Sequence, residues 1–344
     1  MSYREIILNN EKFSPIRWWP HYAYHYTDIR NAVSILESGM LYSRMQAEEL
    51  HVMQNDNASR QVIDMTRHTT TSYVRFYFRP LTPTQYYNEG FKHRDLRYDG
   101  DPNANVPVPV FFFFHLDKLL SDPKTCFSEG SEAGEGRPVL QGEDAFSRLN
   151  FDMIYRNGPY QSQNSADKKR EGSLRQSEIL YPDRYPIENS LAGIVCRNAE
   201  EMTTFLNLIK DKSNKLFFYW QSRIRIINSD LYYNNGLFVD SCSLHDADLS
   251  LSFSDSYPRK KYAAAQNKDL RNLRVNACVQ FEWLHGNEVL NRKEFEITVN
   301  YLNTRPIVFH GVPEIRKAQE LSVKVFMEGN LMCYRKFSLQ TREY

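Results

Sequence analysis

Residues 21–41 have the sequence HYAYHYTDIRNAVSILESGML, and their pattern predicts the first regular elements of the chain. Its residues 24–27 are β-prone side chains. Apolar residues then recur at helical spacing, at Ala32, Val33, Leu36 and Met40. Gly39 stands where such a helix should end. The pattern predicts a strand, a short helix, a terminating glycine and a new extended segment from Leu41.

The pattern of apolar segments in the rest of the chain changes near residue 213. Before that point, apolar segments predict strands at residues 73–78, 111–114, 178–181 and 191–196, and a helix at residues 200–209. After it come short alternating segments, including FFYW at residues 217–220, and an Asn235–Gly236 pair that predicts a hairpin. We therefore expect an α+β domain at residues 1–213 and an all-β domain, a sandwich or a barrel, at residues 214–344.

Composition narrows the class of protein. The 344 residues include 43 Lys and Arg against 42 Asp and Glu, and this near-zero balance excludes a polybasic, histone-like protein. The five cysteines are widely spaced and odd in number, which favours reduced thiols in a cytosolic protein. The most apolar run, at residues 106–116, is too short to cross a bilayer, and the N-terminus does not resemble a signal peptide. These features predict a cytoplasmic protein with no membrane segment.

The common catalytic and cofactor motifs are missing. His21 and His25 have the i, i+4 spacing of metal ligands on a helix, but they fall in a segment predicted to be extended, so we expect no metal site. The sequence also has no glycine-rich loop for phosphates and no nucleophile elbow. Any enzymatic function must therefore use another type of site.

Three blocks of sequence, in order, resemble the DarT family, the DNA ADP-ribosyltransferase toxins of toxin–antitoxin systems. The first is residues 21–41, where the family's His-x-Thr, Asn and glycine-ended helix correspond to His25, Thr27, Asn31 and Gly39. The second is YVRFYFRPLTPTQYY at residues 73–87, which is similar to the family's YVPFYFxPRTPMLY. The third is KKREGSLRQSEILYPD at residues 168–183, which resembles the family's basic run before a Q-x-E motif. The resemblance covers about the first 210 residues and implies an ADP-ribosyltransferase (PARP/DarT-like) split β-core that binds NAD.

The sequence departs from the family pattern in two places. A histidine expected in the loop after the FFFF strand is absent, and Ser131 stands roughly at its position. The segment before the Q-x-E block also holds a short insertion. In the family, these segments contact the nucleic acid or orient the acceptor. The target base and the choice between DNA and RNA therefore stay open.

The resemblance assigns roles to residues at the expected cleft. Glu178, at the head of a strand after a loop, suits the catalytic carboxylate, because a single carboxylate stabilises the oxocarbenium-like ribose when nicotinamide leaves. The family's arginine corresponds to Arg60, with Arg67 as the alternative. The residues expected to bind NAD are His25, Thr27, Asn31, Tyr42, Tyr77 and Gln176. In each case the alternative is an ordinary core or surface residue.

Two basic runs are candidates for contacts with nucleic acid. The residues of the first are Lys168, Lys169, Arg170 and Arg175. Those of the second are Arg259, Lys260 and Lys261, with tyrosines nearby on which bases could stack. A solvated loop and helix face, or an edge that binds an antitoxin, is the alternative for the second run.

Together these features predict an enzyme that moves ADP-ribose from NAD to a base of single-stranded nucleic acid, with DNA favoured and RNA as an alternative. Single strands are expected because a base within a duplex is hard to reach. The biological role would be toxicity or phage defence, with an antitoxin protein as partner and no metal. Two other hypotheses remain: an ADP-ribosyltransferase that modifies a protein, and an inactive module that binds nucleic acid or a partner.

Overall fold

The computed structural model describes residues 1–54, 71–98, 101, 104–131, 138–160, 164–266 and 273–339. The chain forms two compact units that interleave along the sequence. The first unit consists of residues 1–87, 110–195 and 223–232, and the second of residues 88–109, 196–222 and 233–344. The sequence pattern instead predicted one boundary, near residue 213. The units interleave because residues 88–109 belong to the second unit and because residues 224–226 form the last strand of the first unit's sheet.

The first unit is built on a seven-stranded sheet with the order β5-β6-β3-β1-β4-β8-β9, and β2 and β7 pair separately. The strands are β1 Tyr22–Asp28, β2 Met40–Tyr42, β3 Tyr73–Tyr77, β4 Pro109–His115, β5 Cys126–Ser128, β6 Glu178–Pro182, β7 Arg184–Pro186, β8 Leu191–Cys196 and β9 Ile224–Ile226. The helices are α1 Tyr3–Asn10, α2 Ile29–Ser38, α3 Arg44–Glu49, α4 Pro83–Asn88, α5 Leu116–Leu120, α6 Glu143–Ser147, α7 Phe151–Tyr155 and α8 Ser165–Leu174.

The predicted strand–helix–glycine sequence at residues 21–41 is confirmed. Strand β1 ends at Asp28, whose carboxylate accepts a hydrogen bond from the backbone N–H of Arg30 and caps helix α2. The helix ends at Gly39, which has a φ of 70° that glycine adopts without strain. The chain then enters β2 directly, so strand, helix and strand together form one side of a cavity.

Aromatic side chains fill the core of the first unit. The ring of Phe76 on β3 lies 5.1 Å from that of Phe114 on β4 and 5.6 Å from that of Tyr185 on β7, in edge-to-face contacts. The FFFF run at residues 111–114 is buried on both faces of the sheet, as expected for a strand in the middle of it.

The second unit contains two antiparallel sheets, with the orders β10-β11-β14 and β13-β12-β15-β16. Its strands are β10 Val239–His245, β11 Asp248–Phe253, β12 Arg274–His285, β13 Glu288–Asn300, β14 Ile307–Phe309, β15 Glu320–Met327 and β16 Asn330–Ser338. Its helices are α9 Ala199–Lys212, α10 Asn214–Trp220 and α11 Tyr257–Ala265. The ring of Phe309 contacts those of Phe281 and Phe295, so the sheets pack on each other as a sandwich.

Two predictions for this region are wrong in detail. Residues 217–220 form part of helix α10, where Ser213 caps the first turn, and not a strand. The Asn235–Gly236 pair does not close a hairpin, since residues 231–233 form no strand and Leu237 bridges to Phe91. Glycine is needed there for another reason: a Cβ at residue 236 would lie 2.6 Å from the Cα of Gly90.

No helix within the described ranges is long and apolar enough to cross a membrane. All five cysteines are free thiols. Among the residues described, no group of three or more His, Cys, Asp and Glu side chains is placed to hold a metal ion.

Candidate active site

A cavity of about 230 Å³ opens in the first unit, between strands β1, β2 and β3 and helices α2 and α3. Four of the residues predicted to bind the donor line it, namely His25, Thr27, Asn31 and Tyr42. Two arginines, Arg44 and Arg75, also line it. The cavity therefore combines polar side chains from the end of β1 and the start of α2 with two cations from neighbouring elements.

Thr27 and Asn31 form a connected polar edge of this cavity. The Asn31 side chain donates from Nδ2 to Thr27 Oγ1 over 3.3 Å, and its Oδ1 accepts a hydrogen bond of 2.8 Å from the backbone N–H of Gln54. The first contact joins the end of β1 to the first turn of α2. The second ties α2 to the segment after α3, so Asn31 holds two walls of the cavity together.

His25 is fixed by a backbone contact. Its Nδ1 lies 3.1 Å from the carbonyl oxygen of Arg75, and because that oxygen only accepts, Nδ1 carries the proton of the neutral ring. Burial lowers the pKa of His25 below its ordinary value, and the hydrogen bond to the carbonyl partly opposes this. The neutral ring then has Nε2 as an acceptor.

Glu178 is not among the described residues that line this cavity, but it forms a buried ion pair with Arg75, which does line it. Its side chain is 1% exposed, at the start of β6, and its backbone pairs with that of Tyr77 on β3. Arg75 donates from Nε to Glu178 Oε2 over 2.8 Å and from Nη2 to Oε1 over 2.6 Å. Since Arg75 also lines the cavity, its guanidinium connects the cavity to the carboxylate.

Tyr77 and Gln176 lie on the carboxylate side, outside the set of described residues that line the cavity. Burial and the Glu178 carboxylate raise the pKa of Tyr77 to about 12, so its hydroxyl stays protonated. Thr84 donates to Gln176 Oε1 over 2.6 Å and is itself hydrogen-bonded with Tyr77. These side chains support the start of β6 and not the cavity wall.

The expected arginine, Arg60, and its alternative, Arg67, lie outside the described residues. Arg44 and Arg75 line the cavity but were not predicted from the sequence. A signal for Arg75 was present: in β3 the side chains of Val74 and Phe76 are buried, so alternation places Arg75 on the face of Tyr73 and Tyr77.

The first basic run forms helix α8 and not the predicted loop. Lys169 and Arg170 are exposed on it and Lys168 is half-buried. The prediction that Arg175 contacts nucleic acid is not supported, because its side chain is 8% exposed and paired with Glu171. It also donates to the carbonyl oxygen of Gly158 over 2.6 Å.

The second basic run lies in the second unit, on helix α11. Arg259 is completely buried, donates to Ser254 Oγ over 2.7 Å and lies over the ring of Tyr301, so the prediction that it grips phosphates is not supported. Lys260 is 39% exposed and pairs with Asp255 at 2.7 Å, and Lys261 is exposed.

Residues 24–233 match a family model described as "ssDNA thymidine ADP-ribosyltransferase, DarT". Solved structures that match include Thermus sp. 2.9 DarT in complex with ADP-ribosylated ssDNA, at 15% identity, with 61% of this chain and 95% of that chain covered and a TM-score of 0.47. The same Thermus protein in complex with NAD⁺ matches at 18% identity, 62% and 98% coverage and a TM-score of 0.45. Thermosipho africanus DarTG in complex with ADP-ribose matches at 13% identity, 60% and 50% coverage and a TM-score of 0.44. A search of curated proteins found no match.

Proposed function

The chain belongs to the DarT family of single-stranded DNA ADP-ribosyltransferases, and we propose that it transfers ADP-ribose from NAD to thymidine in single-stranded DNA, with Glu178 as the catalytic carboxylate. The observation that supports this assignment is the buried Glu178–Arg75 pair, because Arg75 lines the same cavity as His25 and Asn31. A buried carboxylate held by a residue of a cavity that also presents polar side chains is an arrangement that suits this transfer.

The reaction breaks the bond between nicotinamide and ribose C1′, and nicotinamide leaves with the electron pair. Positive charge grows on the ribose in an oxocarbenium-like transition state, and the negative charge of Glu178 stabilises it. The ring nitrogen of thymine then forms a bond to C1′ and gives up its proton, for which a carboxylate is a suitable acceptor. Nicotinamide and a modified base are the products.

NAD would enter the cavity on the face that Arg44 and Arg75 line. The guanidinium of Arg44 suits the pyrophosphate, because it forms charge-assisted hydrogen bonds with phosphate oxygens, whereas that of Arg75 is engaged by Glu178. The His25 Nε2 and the Thr27 hydroxyl can accept hydrogen bonds from ribose hydroxyls or the carboxamide, while Tyr42 supplies an aromatic wall. The volume of about 230 Å³ is below the usual range for ligand pockets and suits one half of the dinucleotide.

The acceptor strand would lie along the outer side of Glu178. Helix α8 precedes β6 and exposes Lys169 and Arg170, which could bind phosphates without reading sequence. A single strand is the expected form, because a paired base must be unstacked before it can reach a buried carboxylate. Addition of ADP-ribose to thymine blocks copying of the strand, so we assign the protein a toxin role, restrained by an antitoxin protein.

The test is incubation of the purified protein with labelled NAD and single-stranded oligonucleotides, followed by mass spectrometry of the released nucleosides. We expect one ADP-ribose unit on thymidine, none on an oligonucleotide without thymidine, and loss of transfer in Glu178→Ala. The matched control is Glu188→Ala, because Glu188 is an exposed glutamate of the same unit. Undiminished transfer by Glu178→Ala refutes the role of Glu178. Label only on RNA, or only on a protein band, refutes the proposed acceptor.

A further inference from the structure

Arg75 holds both oxygens of the Glu178 carboxylate, and we propose that it is the positioning residue that keeps this carboxylate ionised and oriented for the transfer. The proposal rests on the proposed function, in which Glu178 is the catalytic group. Arg75 occupies the third position of YVRFYF, where the similar family motif quoted above has proline.

The burial of Glu178 creates the need for such a partner. A carboxylate with 1% of its side chain exposed loses the water that stabilises its charge, and this loss favours the protonated form. A protonated Glu178 would neither stabilise positive charge on the ribose nor accept a proton. The guanidinium of Arg75, at 2.8 and 2.6 Å from the two oxygens, supplies the missing stabilisation.

The geometry favours arginine over a simple charge. The Nε and Nη2 donors of Arg75 each reach a different oxygen of Glu178, so the pair is a two-point fork that also fixes the plane of the carboxylate. Lysine has one charged atom and cannot form this fork. Charge and orientation are therefore separable by substitution, which makes the proposal testable.

The position of Arg75 links the carboxylate to the donor site. Its side chain is 27% exposed and lines the cavity, and its backbone oxygen receives the hydrogen bond from His25 Nδ1. One residue thus sets the orientation of His25 through its main chain and that of Glu178 through its side chain. The Tyr77 hydroxyl, next to Glu178 across β3 and β6, is subject to the charges of both Glu178 and Arg75.

The first experiment measures kcat and the KM for NAD between pH 5 and 9 with thymidine-containing single-stranded DNA. In Arg75→Met we expect kcat to fall about 100-fold with a KM within about threefold of wild type, because the interaction acts on the transition state. The acid limb of the kcat profile should move to higher pH, since a buried carboxylate without its cation binds a proton more readily. Arg75→Lys should keep the wild-type acid limb and recover part of kcat.

Arg148→Met is the control, because it removes one positive charge from an exposed ion pair of the same unit. A wild-type pH profile in Arg75→Met overturns the proposal. So does a loss that lies entirely in the KM for NAD, since Arg75 would then be a group that binds the donor.

A second experiment needs no catalytic activity, so it separates this proposal from the proposed function. Thermal unfolding of Arg75→Met, Glu178→Gln and the double variant forms a double-mutant cycle. We expect the sum of the melting-temperature losses of the two single variants to exceed the loss of the double variant. Additive losses overturn the coupling of the two side chains, whether or not the protein modifies DNA. Coupling without any transfer to nucleic acid would refute the proposed function and, with it, the catalytic purpose of the pair.

Discussion

Replacement of Arg197 by methionine removes one of the basic side chains of a buried ionic cluster in the second unit, which also contains Lys92. Arg197 has no exposed surface, donates to Glu201 from Nε over 3.1 Å and lies 3.7 Å from a carboxylate oxygen of Glu89. Its guanidinium also lies 3.8 Å above the ring of Phe238. Both carboxylates are at most 1% exposed, and burial raises the pKa of Glu201 while Arg197 opposes the rise.

The cost of the change follows from this burial. Without Arg197, two buried carboxylates lose a shared cation, and breaking a buried pair in this way costs about 3–5 kcal/mol. We expect Arg197→Met to lower the free energy of unfolding by that amount in urea titrations followed by far-UV circular dichroism. The control is Arg148→Met, whose side chain is 74% exposed and pairs with Asp144, which is 86% exposed, and this variant should cost at most about 1 kcal/mol. Equal losses in the two variants, or a loss below about 1 kcal/mol for Arg197→Met, would refute the reasoning.

Two further predictions concern a glycine and the histidines. Gly236→Ala should lower the melting temperature by several degrees, because its Cβ would collide with the backbone oxygen of Glu89. The control is Gly193→Ala, whose Cβ would meet no atom closer than 3.9 Å and which should change the melting temperature little. Equal shifts of the two variants in differential scanning calorimetry would contradict this prediction. The free energy of unfolding should also fall as the pH is lowered from 7 to 5. Desolvation lowers the pKa values of three histidines in the folded protein, so on acidification the unfolded chain binds protons first, near pH 6.5, and is stabilised relative to the folded protein. The three are His25, His93 and His115. His25→Asn should flatten this dependence in urea titrations at each pH, and an unchanged slope would count against it.

The features that sequence predicted correctly are those set by neighbouring residues. Helix α2 is capped by Asp28 at its start and by Gly39 at its end, and both signals lie within residues 28–39. The motif residues His25, Thr27 and Asn31 share a cavity because one strand and the helix after it carry all three. Local order alone brings these side chains together.

The features that sequence missed depend on contacts between distant segments. The Arg75–Glu178 pair joins residues 103 positions apart, and it forms only because β3 and β6 are neighbours in a particular register. Gly236 was interpreted as a turn residue, whereas its requirement comes from the close approach of residues 89 and 90. Arg175 had a usable local signal, since Glu171 stands four residues before it and the two side chains pair.

Strand β3 connects the packing of the first unit to its proposed chemistry. One face of the strand places Phe76 against the rings of Phe114 and Tyr185 in the core. The other face carries the adjacent residue, Arg75, against Glu178. Because interiors are close-packed, the rings fix the backbone of β3, and the fixed backbone limits where the guanidinium can go. The rigid core is therefore what allows a long, otherwise flexible arginine to hold a buried carboxylate in one orientation beside the cavity.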